Sequence, residues 1–217
     1  MKEINVSKLE LPDDYPGLDL ISEKLDLLPE RHKLDTLNWD EYKYKPEVSF
    51  AMAYSDKEIF LKYYVTENYI MAEKSQTNEM VCEDSCVEFF VSPGGDGIYY
   101  NMEFNPIGTC LLGTGTAREN STRANPDIIS SIRRLPSLGS RPFGEKTGDF
   151  QWTLTLAIPF KVFFHHKIEN LQGRTFRANF YKCGDKLTVP HYVTWNPVGT
   201  GDPDYHQPAY FGLLRFI

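Results

Sequence analysis

Two segments decide the fold, Cys86-Val-Glu-Phe-Phe-Val-Ser92 and Tyr99-Tyr-Asn-Met-Glu-Phe-Asn105. Side chains on a β-strand alternate between its two faces. The first segment therefore puts Val87, Phe89 and Val91 on one face and Cys86, Glu88 and Phe90 on the other. The second separates an apolar set, Tyr100, Met102 and Phe104, from a polar set, Tyr99, Asn101, Glu103 and Asn105. Pro93-Gly94-Gly95-Asp96-Gly97 lies between them, a run of residues that favours a turn. The reading is two neighbouring strands sharing one core face.

The same period runs outward along the chain. Thr175–Cys183 places Phe176, Ala178 and Phe180 inside and Arg177, Asn179 and Tyr181 outside. Val48–Tyr54 and Ile59–Thr66 read as a hairpin turning at Ser55-Asp56-Lys57-Glu58. Further strands are predicted at Thr109–Gly113, Phe150–Ile158, Tyr192–Trp195 and Phe211–Phe216, with Trp152 in the core and a helical turn at Phe160–His165. Gly115–Gly148 is rich in Arg, Ser, Asn, Pro and Gly and offers one strand candidate, Ile128–Arg133. The first 35 residues carry no sustained periodicity, apart from a short helix at Gly17–Leu28 with Glu23 and Asp26 toward water. The expected fold is all-β, an antiparallel, jelly-roll-like β-sandwich over residues 36–217 with an irregular N-terminal arm, 1–35, packed upon it.

Composition excludes several functions. Of the 217 residues, 23 Lys and Arg face 30 Asp and Glu, a net charge of -7. No basic cluster exceeds the pair Arg133-Arg134, so duplex nucleic acid and anionic membrane are poor partners. No apolar run approaches the roughly 20 residues of a membrane span, and Met1–Pro12 lacks the basic start and apolar stretch of a secretion signal. The compartment is left unassigned. The four cysteines, Cys82, Cys86, Cys110 and Cys183, are expected as free thiols, because a chain this long needs no disulfide scaffold.

Glu88, Asn101, Glu103, Asn105, Arg177, Asn179 and Tyr181 lie on the second faces of three strands. Carboxylates, amides, a guanidinium and a phenol suit sugar hydroxyls, each of which donates and accepts a hydrogen bond. A solvated sheet face with cross-strand ion pairs is the alternative. Trp195 enters a Gly- and Pro-containing loop, where its indole either stacks on a sugar or closes the sandwich. His206 is expected to bond loop backbone, and His165-His166 has no third ligand at zinc spacing. Asp84, Glu83 and Glu88 are weak candidates for calcium oxygens and match no EF-hand loop.

Five motifs in order carry a family resemblance: Asp84-Ser85-Cys86-Val87-Glu88-Phe89-Phe90; Tyr100-Asn101-Met102-Glu103-Phe104-Asn105-Pro106-Ile107-Gly108-Thr109; Trp152 with Ile158-Pro159-Phe160; Thr194-Trp195-Asn196-Pro197; and His206-Gln207-Pro208-Ala209-Tyr210-Phe211-Gly212. Over residues 36 to 217 the chain resembles a family 9 carbohydrate-binding module, within the wider group of sandwich domains that bind sugars or haem. The resemblance implies a β-sandwich that binds an oligo- or polysaccharide without cleaving it, often beside a glycosidase and often extracytoplasmic. Structural calcium occurs in some members. Members that clamp a sugar between two tryptophans carry one just ahead of the segment matching Asp84 to Glu88. Met80, Val81 and Cys82 occupy that approach here, which leaves Trp195 in a matching place and Trp39 or Tyr64 as substitutes for the second wall.

The expected function is non-catalytic saccharide binding, with Trp195 as a stacking wall and Asn101, Glu103, Arg177, Asn179, Tyr181 and Glu88 as polar contacts. The rival is a glycoside hydrolase using Glu88 and Glu103 as its carboxylate pair. Arg177 on the same face argues against it, since a nearby cation would keep both carboxylates ionised. Haem ligation through Met102 is least favoured, because no histidine occupies a neighbouring strand.

Overall fold

A computed structural model describes residues 1–217. Thirteen strands and two short helices follow in order: β1 (Glu3–Lys8), α1 (Leu18–Asp26), β2 (His32–Leu34), β3 (Glu47–Tyr54), β4 (Glu58–Ala72), β5 (Cys86–Ser92), β6 (Tyr99–Phe104), β7 (Cys110–Gly115), β8 (Thr122–Arg123), α2 (Pro126–Ser130), β9 (Arg133–Pro136), β10 (Phe143–Pro159), β11 (Thr175–Cys183), β12 (Tyr192–Thr194) and β13 (Gly212–Phe216). The first sheet runs β8-β7-β6-β5-β11-β13-β1 and the second β1-β3-β4-β10-β9, with β12 added on β11 and β2 on β3.

The sequence explains the long pairings. Thirteen residues of β10 pair with β4, from Phe143↔Ala72 to Pro159↔Glu58, with register shifts near Gly144 and Gly148. The turn at Ser55–Glu58 is closed by Ser55 Oγ, which accepts from the backbone N–H of Lys57 and Glu58 at 3.2 Å each. Between the sheets, inward residues of both form one core. Phe180 of β11 stacks on Phe50 of β3 at 3.8 Å and on Phe89 of β5 at 5.0 Å. The apolar sets read from alternation, including Trp152, are all in this core.

Three expectations are corrected. Residues 1–35 are not an irregular arm. β1 is a shared strand, parallel to β13 through Glu3–Val6 and parallel to β3 through Ser7–Lys8, so the sandwich is mixed rather than wholly antiparallel. Ile4 and Val6 supply only two buried apolar positions, too few to register as a strand without their partners. α1 packs Ile21 and Leu25 on Ala51, Ala53, Phe60 and Ala157, the outer face of the second sheet, and Lys62 Nζ reaches Asp26 at 2.8 Å. Third, Ile128–Arg133 is no strand. Asn125 caps α2 by accepting from Asp127 N at 2.9 Å, with Pro126 at the first helical position.

Candidate functional site

The second face of β5, β6 and β11 is not solvated. Cys86, Phe90, Tyr99, Tyr181 and Cys183 pack beneath Trp39, Val81, Val198, Tyr205 and Phe211, which come from the connecting segments. Above Glu88 and Glu103 this cover leaves a cavity of about 420 Å³. Its floor is Glu88, Glu103, Cys183 and Phe90; its wall is Tyr192, Tyr205 and His206; its rim is Met80, Cys82, Arg118, Ser121, Arg123, Asp185 and Pro203. Wider grooves of about 610 and 840 Å³ lie elsewhere; the first holds the buried Glu58, but that carboxylate is paired with Arg133 at 2.6 Å.

Glu88 and Glu103 are cross-strand neighbours, 2% and 6% exposed. Cys183 S–H donates to Glu88 Oε1 at 3.1 Å, and Asn101 Nδ2 donates to Glu103 Oε1 at 2.9 Å. Neither carboxyl has an ion-pair partner. Burial raises the Glu88 pKa well above the usual carboxylate range, with Glu103 adding repulsion, and burial pushes Glu103 up to about 7. The expectation that both stay ionised beside Arg177 is therefore corrected. Arg177 donates instead to the carbonyls of Ala209 and Phe211, at 3.1 and 3.4 Å. The guanidinium groups at the cavity rim are those of Arg123 and of Arg118, the latter held by Asp204 at 2.5 Å.

The wall is fixed by loop contacts. Tyr205 stacks on Tyr181 with ring centres 4.0 Å apart and donates its hydroxyl to the Lys182 carbonyl at 3.0 Å. His206 Nδ1 meets the Tyr99 hydroxyl at 2.7 Å, and the ring packs edge-on to Phe90. Its pKa falls to about 4, first because of burial and then because of Arg118. Beside the floor, Asn101 Oδ1 and Ser121 Oγ are buried without a hydrogen-bond partner. Both crowd Gly113, where a Cβ would stand 2.5 Å from the first and 2.8 Å from the second, so a side chain there would have to displace both.

The predicted contacts divide. Glu88 and Glu103 line the cavity, with Asn101 bonded behind them. Tyr181 is wholly buried beneath Tyr205. Asn179 is buried too, bonding the backbone of Asn196 and Phe180. Trp195 is corrected from wall to core: it is 3% exposed, edge-on to Phe180 and Phe50. The substitute walls fail as well, since Trp39 is buried with Nε1 bonded to the Thr200 carbonyl and Tyr64 lies on the other sheet against Arg31 and Asp26. Asp84 is filled by protein donors, the N–H groups of Glu73 and Lys74 and the Asn105 amide, and Glu83 by Lys74 and Lys186, so neither offers free oxygens to calcium. His206 bonds a phenol rather than loop backbone. Arg118, Ser121, Arg123, Tyr192 and Tyr205 were missed; all but Arg123 and Tyr192 sit outside strands, where no period reveals direction.

Comparison with known proteins places the chain in a family. The family model for carbohydrate-binding family 9 matches residues 20–216. A solved protein of Bacteroides uniformis, to which carbohydrate binding has been assigned by inference, is 42% identical over 100% of this chain and 99% of its own, with a TM-score of 0.95. Two structures of a family 9 module from Caldicellulosiruptor kristjanssonii, one with glucose and one with cellotriose, share the fold at TM-scores of 0.55. Their identities are 14% and 13%, over 100% and 99% of this chain and 96% and 93% of theirs. No curated protein matches the sequence. With nearly its whole length matched by that family model, the chain belongs to carbohydrate-binding family 9.

Proposed function

We propose that the cavity over Glu88 and Glu103 binds a short saccharide without cleaving it. The observation that carries this reading is a 420 Å³ cavity with a buried, unpaired carboxyl pair as floor and an aromatic wall, in a chain of family 9. Its volume lies toward the small end of ordinary ligand sites, which run from about 300 to 1,000 Å³. Carboxyls hydrogen-bond sugar hydroxyls and fix their direction, while Tyr205, Tyr192 and Phe90 offer apolar surface to the C–H side of the ring. The ligands of the Caldicellulosiruptor modules, glucose and cellotriose, make β-glucans the first candidates. The partner that fits this reading is a glycosidase acting on the same polysaccharide.

Calorimetric titration with gluco- and xylo-oligosaccharides tests binding, and release of reducing ends tests cleavage. Saturable binding with no release agrees with the proposal. Steady release abolished by Glu88→Gln or Glu103→Gln would instead make the pair a hydrolytic one, for which a carboxyl with raised pKa is the required acid.

A further inference from the structure

The cavity floor holds sulfur as well as oxygen. Cys86 and Cys183 are opposite each other on β5 and β11, and Glu88 is two residues beyond Cys86 on the same face. The two Sγ atoms and a Glu88 carboxylate oxygen lie within 4.8 Å of one another, and all three residues are buried. Both thiols are free.

We propose that Cys86, Cys183 and Glu88 form a binding site for a thiophilic divalent cation, Zn²⁺. Tetrahedral zinc with bonds of about 2.0–2.3 Å keeps its donors roughly 3.3–3.8 Å apart. Cys183 Sγ and Glu88 Oε1, at 3.1 Å, are already near that separation. Small side-chain rotations bring the third donor in. Two sulfurs select zinc over calcium or magnesium, which take oxygen. Glu88 and Cys183 line the cavity, so the fourth position opens into it. Binding forms two Zn–S bonds and one Zn–O bond and releases to solvent the two thiol protons and any proton held by the Glu88 carboxyl. The cavity carries charge of both signs: Glu103 and Asp185 face it and favour a cation, the Arg118 charge is engaged by Asp204, and Arg123 at the rim opposes them. The site needs no sugar, so it stands or falls apart from the saccharide reading.

The test is titration of the reduced protein with Co²⁺, followed by displacement with Zn²⁺. One equivalent is expected, with a thiolate-to-cobalt charge-transfer band and the visible bands of a tetrahedral ion. Cys86→Ser and Cys183→Ser should each weaken Zn²⁺ binding by on the order of 100-fold, at least the 10- to 100-fold lost when a partner one shell farther out is removed. X-ray absorption at the zinc edge of the wild-type complex reads the sulfurs directly, whether or not those variants fold. Two sulfur neighbours support the site. The absence of a charge-transfer band, fewer than two sulfurs, or folded serine variants with unchanged affinity would overturn it.

Discussion

Lys182 Nζ and Glu67 Oε2 lie 2.8 Å apart in the inter-sheet layer, and both side chains are wholly removed from solvent. Trp152 Nε1 donates to Glu67 Oε1 at 2.7 Å, and Lys182 Nζ donates to His191 Nε2 at the same distance. Removing one charge strands the other where water cannot reach it. Lys182→Met should cost about 3–5 kcal/mol in urea unfolding. Adding Glu67→Gln, which keeps the acceptor for Trp152, should recover most of that loss. A double variant no more stable than Lys182→Met would mean that the two charges do not interact.

Trp195 illustrates the difference between a binding residue and a packing residue. Trp195→Ala should lower stability by about 3–5 kcal/mol through the cavity it leaves. Any folded fraction should bind sugar with unchanged affinity. Gly212→Ala probes the same contact from the other side, because its Cβ would fall 2.5 Å from the indole and 2.7 Å from the Lys2 carbonyl. A loss of about 1–3 kcal/mol is expected from that overpacking.

Glu103→Gln keeps the shape of the cavity floor and removes a charge-capable acceptor. Hydrogen bonds to charged groups contribute about 1.5–3 kcal/mol. Saccharide affinity should therefore fall by roughly tenfold or more, while the thermal midpoint at neutral pH should hold or rise, because the amide removes the cost of ionising a buried carboxyl. Unaltered affinity in calorimetry would remove Glu103 from the binding contacts.

The pH dependence of stability should carry a histidine signature. His206 is held down to about 4, and burial with the charge of Lys182 puts His191 well below its ordinary value. The unfolded chain takes up protons near pH 6.5, where the folded chain does not. The two histidines thus favour unfolding as the solution is acidified, opposed over the same range by the raised carboxyls of Glu88 and Glu103. His206 alone makes stability decline from about pH 6.5 toward pH 4. His206→Gln, followed by denaturant titration across this range, should flatten the decline.

Strand interiors were legible to the residue. Cys86–Ser92 and Thr175–Cys183 begin and end where alternation places them, because both faces of those strands are constrained. The same period, carried from Val193 to Trp195, already directs the indole inward; its place at a strand end before a Gly- and Pro-containing loop, together with the family motif, drew it toward the ligand. The segment 115–148 resisted because its strands are short or interrupted. β8 has two residues, and β10 begins with a polar run whose register shifts near two glycines. Asn125-Pro126-Asp127 did contain the signal of a helix start. Sequence alternation separated the faces of the first sheet but carried no information that loops would roof one of them. Glu88 and Glu103 were therefore found, while Arg118, Tyr205 and His206 were not.

The position of β1 sets an order on synthesis. Its parallel partner in the first sheet, Leu213–Phe216, lies over 200 residues downstream, so the seam between the sheets is among the last contacts a growing chain can make. Until those residues leave the ribosome, one side of β1 and the β13-facing edge of β11 have no mate. Unpaired edges of this kind recruit strands from other molecules. For this chain, the period of greatest exposure to misassembly lasts until Leu213–Phe216 have been made, after nearly every other strand has found its neighbour.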